Sequence, residues 1–301
     1  MSVKTKALIA IFTAAILWAS AGTVAKILFQ TAPPFVAATH RFLLASCIIL
    51  PLFLRERKPK GFVMKLLPLG LLNTGNVLFY FSGLALTTAN TASILGTAVP
   101  LTTALCSWFI INERLSKEQI IGIVIGLIGA LLIVVVPLLD RDSVMTGSVI
   151  GNLLLVGSLF CWTGYIVYAR YVLRDGLYSP VLSTSINIFT VAAASATAAV
   201  ITKQPIVSSA YLSPSYAGLL FYAAIGITII TFFLFQWGVQ HVSAATASLK
   251  EYIQMVFGVG INAGLLGEHL TGAYIIGSVL VAMGVFIATG KKLRNYFANS
   301  S

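Results

Sequence analysis

Charged residues are scarce in this 301-residue sequence. Only 9% of the residues are charged, whereas a soluble domain has about 25%, and the mean hydropathy is +0.96. A water-soluble globule of this size needs more surface charge. The composition therefore excludes a soluble enzyme, a nucleic-acid-binding domain and a disordered chain, and it is typical of a multi-pass membrane protein.

Motifs for catalysis and for metal binding are also missing. Cys47, Cys106 and Cys161 lie in apolar runs without the spacing of metal ligands, so we interpret them as small hydrophobic residues. The eight acids are scattered, and the sequence contains neither a nucleophile motif nor an ATP-binding loop. We expect no enzyme activity and no cofactor. Any energy for transport must come from an ion gradient or a substrate gradient.

Apolar runs long enough to cross a membrane are abundant. A transmembrane helix needs about 20 apolar residues, and the sequence contains ten such runs. These predicted spans, numbered one to ten below, cover residues 6–28, 34–54, 66–86, 90–111, 117–137, 148–171, 179–201, 217–240, 243–266 and 270–290. The predicted fold class is an all-α integral membrane protein with ten transmembrane helices, and its surroundings are the lipid bilayer.

The distribution of positive charge predicts the orientation in the membrane. Fourteen of the 19 Lys and Arg residues fall in segments that are cytoplasmic if both termini are inside, and only Arg141 and Lys203 fall on the opposite side. This bias explains the net charge of +11 without a nucleic-acid partner. We expect a cytoplasmic (inner) membrane protein with both termini in the cytoplasm.

The second half of the sequence repeats the first. Thr91-Ala92-Ser93 recurs 155 residues later as Thr246-Ala247-Ser248, and Glu113-Arg-Leu-Ser recurs as Glu268-His-Leu-Thr. The same shift pairs three glycines, Gly83 with Gly238, Gly122 with Gly277 and Gly129 with Gly284. With a slightly different shift, the repeat also pairs Trp18 with Trp162, Lys26 with Arg170, and Pro34 with Pro180.

This repeat divides the chain into residues 1–146 and 147–301, each with five spans. Because five is an odd number, the second half enters the membrane from the opposite side. The sequence therefore predicts two inverted five-helix repeats, an arrangement typical of secondary transporters, with the substrate site between the halves near the bilayer midplane.

The segment 90–133 resembles the EamA repeat of the drug/metabolite transporter superfamily. It contains Thr-Ala-Ser, Pro100, Glu113-Arg-Leu-Ser, Gln119, Gly122 and Gly129. Pro33-Pro34, Arg41 and the tryptophans of spans one and six are similar to that family as well. The resemblance implies a ten-span transporter. Its members are similar to exporters of amino acids and drugs and to importers of small metabolites.

The second copy departs from this pattern. Met255 stands where the first copy has Pro100, and Lys250-Glu251 stands where the first copy has Leu95-Gly96. A label of generic exporter therefore does not follow from the resemblance.

Charges inside a span need a reason, because each costs roughly 2.5–3.5 kcal/mol at the span centre. Lys250 and Glu251 lie about 10 Å into span nine. Adjacent helical residues point in different directions, so we expect these two not to form one neat ion pair. In one interpretation Glu251 binds a substrate amine or a proton and Lys250 binds a carboxylate. In the other interpretation, both side chains only make structural contacts with other protein groups, or Lys250 extends back to the cytoplasmic membrane interface. Arg41 either holds a carboxylate or pairs with carbonyls at a helix end.

Polar and aromatic residues of spans one, three, six, eight and nine complete the candidate site. A cavity needs mostly apolar walls with a few placed polar groups, and aromatic rings can surround an organic cation or a side chain. The predicted substrate-binding residues are Lys250, Glu251, Tyr252, Gln254, Arg41, Asn76, Tyr80, Trp162, Tyr165, Trp18, Thr231 and Trp237.

We therefore predict a secondary active transporter for a small polar metabolite, an amino acid or a related zwitterion, that works by alternating access. Coupling to protons or to a counter-substrate is open. The alternatives are an organic-cation or drug transporter of the same fold and, more remotely, an ion channel or a membrane enzyme. Gly122-x-x-x-Gly126 is either a dimer face or a packing face within the monomer, so we expect a monomer or a weak homodimer.

Overall fold

The computed structural model of the chain describes residues 2–86, 92, 96–139, 148–266 and 272–298. In the first half, the helices are α1 (Val3–Ala19), α2 (Ala21–Phe29), α3 (Pro34–Arg55), α4 (Phe62–Leu86), α5 (Val99–Ile111) and α6 (Lys117–Leu139). In the second half, they are α7 (Val149–Leu173), α8 (Pro180–Ile201), α9 (Pro214–Ala224), α10 (Thr231–His241), α11 (Ala244–Ser248), α12 (Lys250–Leu266) and α13 (Gly272–Ala298). The described residues contain no strand, so the prediction of an all-α fold is confirmed.

Within these described ranges, six helical segments are long and apolar enough to cross a membrane. They are Val3–Phe29, Pro34–Arg55, Phe62–Leu86, Val149–Leu173, Pro180–Ile201 and Pro214–His241. Large apolar side chains such as Leu54, Phe109 and Ile201 are exposed on the periphery, as hydrocarbon contact requires. The chain is therefore a multi-pass membrane protein. The count of ten spans stays a prediction.

Helix starts follow from local sequence. Pro34 and Pro180 occupy first helical turns, where the missing N–H of proline costs nothing. At the start of α6, the Ser116 backbone N–H donates to Gln119 Oε1 at 3.0 Å, and the Gln119 backbone N–H donates to Ser116 Oγ at 3.2 Å. This reciprocal pair is a capping box and fixes where α6 begins.

Three helical segments are interrupted. Ser20 separates α1 from α2, and Leu249 separates α11 from α12. A π-helix, Ile225–Ile230, joins α9 to α10. Interruptions of this kind release backbone groups from the regular ladder and are frequent at functional sites. Ala19 and Ala21 beside Ser20, Lys250 beside Leu249 and Phe232 just after the π-helix line the cavity described below.

Glycines bring α6 and α13 into backbone contact. A Cβ on Gly122 would overlap the Gly284 carbonyl oxygen, and a Cβ on Gly129 would lie 2.6 Å from the Gly277 carbonyl oxygen. Gly126 lies against the ring of Tyr252. The Gly122-x-x-x-Gly126 face is thus covered within this chain, as the packing interpretation expects.

Candidate functional site

A cavity of about 220 Å³ lies between the two halves of the chain. The first half contributes α1 to α4 and the start of α5, and the second half contributes α7, α10 and α12. Drug-sized ligands occupy pockets of about 300–1,000 Å³, so this cavity suits a smaller molecule. Its polar and aromatic lining residues include Trp18, Arg41, Asn76, Tyr80, Ser158, Trp162, Phe232, Lys250, Glu251 and Gln254.

Lys250 and Glu251 form an ion pair in the cavity wall. Lys250 Nζ donates to Glu251 Oε1 at 2.6 Å and to Gln254 Oε1 at 2.9 Å. The expectation that these neighbours form no neat pair was therefore wrong. Leu249 breaks the helix just before Lys250, and the flexible lysine stem bends its ammonium toward the carboxylate. Lys250 is only 2% exposed, so it does not reach the membrane interface.

Two tryptophans enclose this ion pair. Lys250 Nζ lies 4.4 Å from the ring centroid of Trp18 and 4.9 Å from that of Trp162, within the range of cation–π attraction. Trp162 Nε1 also donates to Glu251 Oε1 at 2.6 Å. The two indole rings pack edge to face at 5.7 Å. The carboxylate is thus shared by an ammonium and an indole N–H.

Arg41 joins α3 to the π-helix. Its Nε donates to Thr228 Oγ1 at 2.7 Å, and its Nη2 donates to the Ile227 carbonyl at 3.1 Å. The alternative that paired Arg41 with carbonyls at a helix end is met only in part, because its single carbonyl partner, Ile227, lies inside the π-helix. Arg41 also lines the cavity, and the described residues provide no acceptor for its Nη1. A substrate carboxylate is compatible with that remaining donor.

Asn76 and Tyr80 line the cavity from the same face of α4, as their spacing indicates. Asn76 Nδ2 donates to Ser158 Oγ at 2.9 Å and to the Ser158 carbonyl at 3.2 Å. Ser158 itself was not among the predicted residues. Its position four residues before Trp162 on one helix face was the available signal.

Eight of the twelve predicted residues therefore lie on the cavity wall, and four do not. The Tyr252 hydroxyl donates to the Ile123 carbonyl at 2.9 Å, so its ring packs toward α6. Thr231 Oγ1 donates to the Ile227 carbonyl at 2.7 Å and is turned toward its own helix.

The other two residues outside the wall are aromatic. Tyr165 stacks behind Trp162 at 4.8 Å, and its hydroxyl accepts bonds from Asn187 Nδ2 and Gln236 Nε2. Trp237 packs beside His241, with 5.0 Å between ring centroids. The sequence identified the polar and aromatic content of these helices but not which face each ring occupies.

Comparison with known proteins gives consistent results. The model of the EamA-like transporter family matches residues 5–135 and again residues 149–290. The chain is 27% identical to the uncharacterized inner membrane transporter YedA of Escherichia coli K12, over 94% of this chain and 92% of that protein. It is 25% identical to a probable amino-acid metabolite efflux pump of Salmonella typhimurium, over 90% of this chain and 91% of that protein. The chain is also similar to a solved crystal structure with 22% sequence identity. The match covers 96% of this chain and 98% of the other chain, with a TM-score of 0.77.

Proposed function

Because the chain belongs to the EamA-like transporter family, we propose that it is a secondary active transporter of an amino acid or a related zwitterion. The family match confirms the resemblance found in the sequence, and the relatives compared above carry names of transporters. The observation that carries the proposal is the charge content of the cavity. Glu251, Lys250 and Arg41 all line one small cavity, whose wall also contains six aromatic residues.

This charge content matches a zwitterion. Glu251 is 10% exposed at its side chain and offers a carboxylate to an ammonium group. Arg41 has a donor that remains without an acceptor among the described residues, and Lys250 is a second cation. A substrate without charged groups would gain nothing from these buried charges, whereas a zwitterion can form an ion pair with each sign. We assign the substrate ammonium to Glu251 and its carboxylate to the two cations.

Alternating access follows from the predicted inverted repeat, and contacts between helices support that repeat. Lys26 Nζ donates to the Leu84 carbonyl at 2.7 Å. Arg170, which the repeat pairs with Lys26, donates to the Val239 carbonyl at 3.1 Å. Leu84 and Val239 are 155 residues apart, so the two contacts occupy equivalent places in residues 1–146 and 147–301.

Close backbone contacts obey the same relation. A Cβ on Gly83 would lie 2.9 Å from the Gly151 carbonyl oxygen, and a Cβ on Gly238 would lie 3.1 Å from the Ala7 carbonyl oxygen. Gly83 and Gly238 are repeat partners, and so are Ala7 and Gly151 at the shift that pairs the tryptophans. The glycine contacts between α6 and α13 follow the same relation, because the repeat converts the Gly122–Gly284 contact into the Gly277–Gly129 contact. The proposal also places the protein in the inner membrane, with ten spans and with both termini in the cytoplasm.

A second candidate is an organic-cation transporter. The observation in its favour is the ammonium of Lys250 seated between Trp18 and Trp162, which shows that the cavity wall accommodates a cation. A comparison of affinity for an amino acid and for the amine that lacks its carboxylate distinguishes the two candidates. The zwitterion proposal requires preference for the amino acid, because only it engages the basic residues.

Uptake into proteoliposomes tests the proposal. Purified protein is first screened by thermal shift against amino acids, nucleosides and quaternary amines, and the stabilising compound is then used with a radioactive label. We expect uptake of the labelled compound to be saturable and to be driven either by an imposed proton gradient or by a counter-substrate. The labelled compound should also exchange with unlabelled compound inside the liposomes. Ohmic conductance without saturation, or an equal affinity for the decarboxylated amine, contradicts the proposal.

A further inference from the structure

The ammonium of Lys250 has the surroundings of a bound ligand. Glu251 and Gln254 each accept one of its hydrogen bonds, at 2.6 and 2.9 Å. The ring centroids of Trp18 and Trp162 lie 4.4 and 4.9 Å from it. A carboxylate, an amide oxygen and two indole rings offer an ammonium ion hydrogen-bond acceptors and aromatic faces together.

The walls around this ammonium are held by contacts that do not involve it. Trp162 Nε1 donates to Glu251 Oε1, and Trp18 Nε1 donates to the Ile227 carbonyl at 3.0 Å. The two indole rings also pack against each other. None of these contacts uses the Lys250 ammonium, so the surroundings do not need it to be held in place and are preorganised for an ammonium group from another source.

The same carboxylate faces the cavity. Glu251 lines the cavity and is partly exposed to it, whereas Lys250 is almost completely buried. A ligand ammonium that enters the cavity therefore meets a carboxylate that already carries an ion pair. Glu251 Oε1 already accepts from both Lys250 and Trp162, so a ligand ammonium competes with Lys250 for this oxygen.

We propose that the groups around this ammonium form an alkylammonium-binding subsite, which Lys250 occupies until the ammonium group of the substrate displaces it. The subsite consists of Trp18, Trp162, Glu251 and Gln254. The displaced lysine has a flexible stem and pairs with the carboxylate of the same ligand. The exchange keeps every charge paired, which matters because an unpaired charge is costly in a membrane interior.

The zwitterion in this exchange rests on the proposed function, but the subsite can be tested without transport. Lys250→Ala removes the side chain beyond Cβ, a fragment equal in size to n-propylammonium. Purified K250A and wild-type protein are titrated with propylammonium chloride, with 1-propanol as the neutral isostere and with sodium chloride. Thermal unfolding midpoints and tryptophan fluorescence are recorded.

We expect propylammonium to raise the K250A midpoint saturably, by about 5 °C at roughly 100 times its dissociation constant, and to change the emission of the tryptophans. The wild type should show neither change, since its subsite is filled, and 1-propanol should have no effect on K250A. An equal response of K250A and wild type, or of the amine and the alcohol, overturns the proposal.

A second variant covers the case in which K250A does not fold. Lys250→Met keeps most of the stem and removes the ammonium, so its matched probe is ammonium chloride against sodium chloride. Stabilisation of K250M by ammonium alone supports the subsite, and identical effects of the two salts overturn it. Failure of amino-acid uptake together with amine binding to K250A would reject the proposed substrate and leave the subsite standing.

Discussion

The two halves of the chain contribute repeat-related positions to the cavity but different chemistry. Trp18 and Trp162 are repeat partners, and both line the cavity. Trp18 Nε1 donates to a backbone carbonyl, whereas Trp162 Nε1 donates to the carboxylate of Glu251. The repeat partner of Glu251 is Gly96, which also lines the cavity and has open space where a Cβ would lie.

This difference distinguishes residues that pack helices together from residues that we propose bind the substrate. Several contacts that hold helices together recur at repeat-related positions in both halves, such as the bonds of Lys26 and Arg170 to backbone carbonyls. The charge pair occurs in one half only, at the position where the other half has glycine. A functional side chain that is present in only one copy of the repeat is therefore a better guide to the substrate site than a residue that both copies share.

The largest effect should come from Glu251→Gln. The change leaves Lys250 without a counter-charge and removes the proposed acceptor of the substrate ammonium, and loss of one partner of a buried pair costs about 3–5 kcal/mol. We expect initial uptake rates in proteoliposomes to fall by about 100-fold or more.

Gly96→Ala is the matched control, because it alters the repeat-related position in open space. We expect it to change the uptake rate less than twofold. Uptake by E251Q that stays at the wild-type level across a pH series would remove Glu251 from the mechanism. A large loss in G96A would show that the two halves are not functionally different at this position.

The tryptophans sharpen the comparison. Trp162→Phe removes a charge-assisted hydrogen bond, worth about 1.5–3 kcal/mol, whereas Trp18→Phe removes a neutral one, worth about 0.5–1.5 kcal/mol. We expect the half-saturation concentration for uptake to rise about tenfold or more in W162F and only severalfold in W18F. Equal increases would show that the rings act only through their faces.

Sequence reasoning predicted the helical fold and much of the cavity wall, for reasons visible at particular residues. Charge in an apolar run is costly, so Glu251 and Lys250 stood out. Tyr165 and Tyr252 were predicted for the site but lie outside the cavity wall, because the face of a helix that points inward depends on its packing against other helices. The ion pair was missed since helical spacing alone does not reveal the break at Leu249.

A smaller effect is expected where the halves resemble each other. Arg170 and Lys26 both bind carbonyls at helix ends, but Arg170 also pairs with Glu113 at 2.8 Å. Glu113 in turn accepts the Ala244 backbone N–H at the start of α11. We expect Arg170→Met to lower the unfolding midpoint by several degrees and Lys26→Met to lower it less. Equal losses would mean that the Arg170–Glu113 pair adds no stability.

The smallest effect is expected from Tyr252→Phe, which tests whether the residue next to the charged pair belongs to the site. Its hydroxyl donates to the Ile123 carbonyl, and its ring lies against Gly126, outside the cavity wall. Phenylalanine keeps the ring and loses one buried hydrogen bond, worth about 1 kcal/mol. We expect a slightly lower unfolding midpoint with an unchanged half-saturation concentration. A raised half-saturation concentration at an unchanged midpoint would place this hydroxyl in contact with substrate, and the site would then extend along α12 toward α6.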